Sequence, residues 1–141
     1  MTTVDEIARV ATSYSGRRWP WQLLRVVTAL ATLNAFSQAV LAGGVVVGRI
    51  EAMPLHSAQG LLLALGTLVL LVALVLVWRL GGGPAWTLFA GLLMSFATLI
   101  QLDVGFSQTL AVHVPLATTV IIAQVMLLVW VWQRPLPESG S

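Results

Sequence analysis

Four apolar stretches, each long enough to cross a lipid bilayer, take up most of this 141-residue chain. A helix needs about 20 residues to cross the hydrocarbon core. The stretches cover approximately 21–47, 55–77, 85–102 and 110–132. Within hydrocarbon the backbone has no water to bond to, so each stretch must satisfy its own N–H and C=O groups as a helix. Only 9% of the residues are charged, against roughly a quarter in a soluble domain. Three short breaks separate the stretches: Gly48 to Pro54, Gly81-Gly82-Gly83-Pro84, and Asp103 to Gln108. Connections this short turn each helix back on the one before. The expected fold is all-α, an integral membrane antiparallel four-helix bundle over residues 21–133, with a cytoplasmic tail at 134–141.

Charge placement gives the expected orientation. All seven basic residues are arginines. Arg9, Arg17, Arg18, Arg25, Arg79 and Arg134 fall on one side of the spans and Arg49 alone on the other, which puts both termini in the cytoplasm of a multi-pass cell-membrane protein. Trp19, Trp21, Trp78, Trp86, Trp130 and Trp132 cluster at those same ends, as an interfacial belt does. Residues 1–20 are mostly polar. Thr3 and Glu6 have capping-box spacing, and Val4, Ile7, Ala8 and Val10 can share a face, which predicts a short interfacial helix. Small residues near Ala42 loosely resemble a cleavage site, but the apolar run continues beyond them, so a retained anchor is expected.

Several chemistries are excluded. Without cysteine there is no disulfide, thiolate metal site or cysteine nucleophile. The pI near 10.5 reflects scattered arginines, not a basic stripe for nucleic acid. No nucleotide loop or serine-nucleophile signature occurs. Glu51 and Asp103 lie at span edges, which argues against a proton-coupled transporter. Asn34, Ser37 and Gln38 place polar groups inside the first span, where interhelical hydrogen bonding is the expected use. Gly44 with Gly48, and Ala39 with Gly43, have the four-residue spacing of close helix packing. Pro115 is expected in the first turn of its helix.

The chain has two histidines, and they occupy matching places in an internal repeat. His56 opens the second span and His113 the fourth. Gln38 precedes Gly43-Gly44 in the first hairpin, and Gln101 precedes Gly105 in the second. Each histidine has a small residue four positions on, Gly60 or Ala117, stacked one turn away on the same face. Two imidazoles on neighbouring helices can hold a haem iron from both faces. The small residues would leave room for a porphyrin edge, and Arg49 is the cation nearest the propionates. A single interfacial histidine reads more readily as a polar cap reaching for water; the paired placement favours ligands.

These segments resemble one four-helix half of the haem A synthase family. The resemblance covers roughly 24–132 and rests on Leu55-His56-Ser57-Ala58-Gln59-Gly60, Gln101-Leu102-Asp103-Val104-Gly105 and Leu110-Ala111-Val112-His113-Val114-Pro115-Leu116-Ala117. It implies a histidine near the start of the second and fourth helices of a haem-binding bundle. The bacterial family is usually twice this length, and its catalytic half carries a glutamate close before the first histidine. Here Glu51 lies five residues before His56, beyond Pro54. The resemblance therefore implies holding a cofactor more directly than oxidising one.

The resulting expectation is a haem b protein with His56 and His113 as iron ligands. Gly60, Ala117 and Arg49 line the site, and the protein serves electron transfer or haem handling near the outer face. Two alternatives stay open. One is a haem-free subunit anchoring a larger complex, for instance a respiratory assembly. The other, if the chain is an enzyme, is a half-size haem A synthase-like oxidoreductase working as a homo-oligomer. The apolar outer faces suit lipid and partner helices equally.

Overall fold

The computed structural model describes residues 17–137; the expected interfacial helix lies outside them. Four helices account for nearly all of this: α1 (Arg18–Val46), α2 (Ala52–Leu80), α3 (Trp86–Phe106) and α4 (Leu110–Gln133). Each is long and apolar enough to cross a membrane. The helices overrun the apolar stretches because backbone hydrogen bonding continues where hydropathy stops. Residues 18–20, expected in the polar leader, belong to α1, and Asp103 sits in the last turn of α3 instead of a loop.

Contacts run around a ring, α1–α2–α3–α4–α1, and neither diagonal pair brings its backbones together among the described residues. The start of α1 is tied to the end of α2. Arg17 N–H donates to the Leu80 carbonyl at 2.8 Å, and the Trp21 indole N–H donates to the Gly81 carbonyl at 2.8 Å. Gly81 and Gly83 make this junction possible. A Cβ on Gly81 would stand 3.0 Å from Trp21 Nε1, and one on Gly83 would collide with Val77 Cγ1.

Side-chain burial is uneven along the bundle. The core joins Trp21, Leu24, Leu70, Ala73, Leu74, Val77, Met94, Leu127 and Val131, all toward the arginine-bearing end. At the other end no residue of α2 before Ala64, or of α4 before Val120, is buried. The buried apolar side chains are thus concentrated toward the end where α1 begins, and α2 and α4 bury none at the end where both histidines lie.

Large apolar side chains point outward along every helix, among them Leu30, Leu33, Leu65, Val72, Phe89, Phe96 and Met126. Thr28, Thr32, Thr67, Thr87, Ser95, Thr98 and Gln124 are buried. That distribution suits a lipid surround, which has no preference for apolar over polar interiors once the hydroxyls are bonded. Most hydroxyls bond a carbonyl of their own helix, as Thr28 does to Leu24 at 2.8 Å and Thr98 to Met94 at 2.8 Å. Gln124 instead reaches from α4 to α1, 3.3 Å from the Thr28 carbonyl and 3.4 Å from Thr32 Oγ1. These are long bonds. Gln124→Leu is expected to cost about 0.6 kcal/mol and less than about 2 kcal/mol, measurable by unfolding the detergent-solubilised protein.

Some sequence expectations change here. Ser37 bonds the Leu33 carbonyl within α1, so of the polar trio in that span Gln38 is the one that bridges helices. Gly44 does pack closely, since its Cβ would lie 3.2 Å from Ala52 Cβ, but a Cβ on Gly43 or Gly48 would meet nothing within 4 Å. Gly48 serves the turn: its φ of 82° is in the left-handed region that glycine tolerates. Pro115 stands in the second turn of α4, not the first. At that position it deprives the Ala111 carbonyl of its usual helical donor.

Candidate functional site

His56 lies in the second turn of α2, just after Pro54 has shaped the first. His113 lies in the first turn of α4, its N–H bonded to the Thr109 carbonyl at 2.9 Å. Although α2 and α4 face each other across the diagonal, their imidazoles meet. The ring centroids are 6.3 Å apart and the planes cross at 68°. Both rings are half-buried. The pairing expected from the repeat is therefore present in space.

Each histidine is met by the glutamine of its own hairpin, but only one of them at the ring. Gln101 of α3 approaches His113 Nδ1 twice, its backbone carbonyl at 3.1 Å and its side-chain Nε2 at 3.0 Å. The carbonyl can bond only a protonated Nδ1 and the amide N–H only a bare one, so a partner is present for either tautomer. Gln38 of α1 donates its Nε2 to the His56 backbone carbonyl at 2.9 Å and leaves the ring alone. Three buried atoms here have no hydrogen-bond partner: Gln38 Oε1, His56 Nδ1 and Gln101 Oε1. Each such group costs about 1–3 kcal/mol when left unmet. Native structures keep few of them, and their presence in a cluster calls for a ligand or ordered water.

Two glycines set the walls. A Cβ on Gly105 would stand 2.9 Å from His113 Cε1, so the ring lies against the bare α3 backbone. A Cβ on Gly60 would stand 3.0 Å from Gln38 Nε2 and 3.5 Å from Leu102 Cδ1. The room expected beside Gly60 is thus taken by Gln38 and Leu102. A macrocycle whose edge rests on Gly60 has to displace both. Ala117 is half-buried, one turn along α4 from His113. Arg49 is exposed in the turn between α1 and α2, its side chain passing over Gly44 with Cδ 4.0 Å from where a Cβ would be.

The separation suits an iron held between the rings. Two Fe–N bonds of about 2 Å, with half a ring on each side, place imidazole centroids about 6 Å apart. Among the described residues no group of three or more His, Cys, Asp or Glu side chains could hold a metal ion, so the two imidazoles are the whole nitrogen donor set. Sequence reasoning identified the histidines but not Gln101 or Gly105 as the supports of His113. The signal was present as the Gln followed by Gly in both hairpins, Gln38 before Gly43 and Gln101 before Gly105. Comparison with protein-family models, curated proteins and solved structures finds no match to this chain.

Proposed function

We propose that this chain is a bis-histidine haem b protein of the cytoplasmic membrane, an antiparallel bundle with both termini inside. His56 and His113 would be its axial ligands. One observation carries the reading: two helices whose backbones stay apart across the bundle bring their imidazoles to 6.3 Å, among three buried polar atoms without partners. A bound haem would supply a one-electron couple, which serves electron transfer between membrane partners or the handling of haem itself. The protein's contribution is to orient two neutral imidazoles, shield them in an apolar bundle, and set the basicity of His113 through the Gln101 groups behind its ring. Glu51 precedes α2, is exposed and makes no capping bond, so it is not held against the histidines for haem-methyl oxidation. The half-size haem A synthase remains a third reading, which accumulation of haem a in expressing cells would favour.

The filled space beside Gly60 favours a second reading, a haem-free membrane subunit that anchors a larger assembly. A reduced-minus-oxidised spectrum of the untagged protein in detergent, with a pyridine haemochrome assay, separates the two. Sharp reduced bands of a six-coordinate b-type haem are expected. A preparation that stays colourless after haemin is added overturns the haem reading and leaves the anchoring subunit.

A further inference from the structure

Resting on that haem reading, we propose that the two imidazoles are unequal ligands. His113 is the fixed one and His56 the exchangeable one, so the site opens to an external ligand on the α2 side. The repeat makes the comparison direct, because each hairpin has the same parts. His113 Nδ1 has a partner for either tautomer, the Gln101 carbonyl at 3.1 Å or the Gln101 amide at 3.0 Å. Its ring rests on Gly105, where even a methyl group would press to 2.9 Å. None of this is repeated at His56. Its Nδ1 is buried without a partner, Gln38 is engaged with the backbone, and a Cβ on Gly43 would meet nothing within 4 Å.

A ligand's hold on a metal depends on what orients it. Removing the hydrogen-bonded support behind a metal-bound histidine typically weakens the site by about 10–100-fold. At His56 that support is absent from the outset. Its ring can turn about χ1 and χ2 without breaking a hydrogen bond, whereas His113 must break one in either tautomer. The class of ligand admitted is small and neutral, a diatomic gas or an imidazole, because the neighbouring cation, Arg49, is exposed in the turn and does not offset the charge of an anion at the rings.

The test compares His56→Gly with His113→Gly, each loaded with haemin in detergent. His56→Gly is expected to keep its haem in a five-coordinate, high-spin form that free imidazole converts back to six-coordinate. His113→Gly is expected to bind haem at least about tenfold more weakly than His56→Gly. Reduced wild-type protein should form a carbon monoxide adduct. Gly105→Ala should weaken haem binding while Gly43→Ala leaves it unchanged. Equal losses in the two histidine variants, or a wild-type protein inert to carbon monoxide, overturn the inequality while leaving bis-histidine binding intact. If the wild-type protein binds no haem, the haem reading itself has failed. The inequality then stands or falls on NMR relaxation of the two imidazole rings in the cofactor-free protein. His113 is expected to be as ordered as rigid backbone, with S² of about 0.85, and His56 clearly below it; equal order overturns the proposal.

Discussion

A protein carrying both His56→Ala and His113→Ala is expected to fold, enter the membrane and hold no haem b at all. The chain has no cysteine and no third histidine, so removing both imidazoles leaves no strong ligand for iron. Met53, three residues before His56 and exposed, is the nearest thioether in sequence, and sulfur alone on one side does not replace two nitrogens. Folding should survive because the tightly packed residues, from Trp21 and Leu24 to Val131, lie toward the opposite end. The substitutions remove the Gln101 contact with the His113 ring, while the Gln38 bond, made to the backbone of residue 56, can persist. The measurement is the ratio of Soret absorbance to protein, with circular dichroism and gel filtration run alongside. A double variant that still binds one haem per chain with unchanged bands places the iron elsewhere.

Trp21→Ala is expected to be the most damaging change to stability. Trp21 is 6% exposed, its ring centroid lies 5.9 Å from that of Trp130, and its N–H holds the Gly81 carbonyl across to α2. Truncating a buried tryptophan in a soluble protein costs about 3–5 kcal/mol. In a membrane the transfer share of that figure falls, because the alternative surround is also apolar. The cavity and the lost carbonyl partner remain, so the expected loss is about 2–4 kcal/mol. Trp21→Phe, which keeps most of the ring volume and removes the donor, should cost about 1 kcal/mol. Unfolding in sodium dodecyl sulfate followed by circular dichroism gives both values. A Trp21→Ala protein as stable as wild type would show that this junction does not hold the bundle closed.

The helices were legible in the sequence because hydrocarbon imposes a minimum length and forbids an unsatisfied backbone, and both demands are written in hydropathy. Their ends were less so. Asp103 and residues 18–20 are polar yet helical, since a helix at the membrane boundary continues for as long as its carbonyls find donors. The histidine pair was visible through the repeat, which places equivalent residues at equivalent depth. Rotation of each helix about its own axis was not visible, because these spans are apolar on nearly every side. That rotation decides which neighbour a side chain meets. It turns Leu102 and Gln38 toward Gly60 and lays His113 on Gly105, while Gly43 faces open space. Pro115 was misplaced for a related reason: α4 begins five residues before it, at a point where the sequence has no strong start signal.

The uneven packing along the bundle has a consequence for biogenesis. The indole-to-carbonyl tie and the dense packing around it depend on nothing at the histidine end, so the chain can complete its membrane insertion and reach a stable form while the imidazoles are still unoccupied. If the site takes a cofactor, loading it is then a separate, later event. On the haem reading, the prosthetic group would enter a finished scaffold at the histidine end.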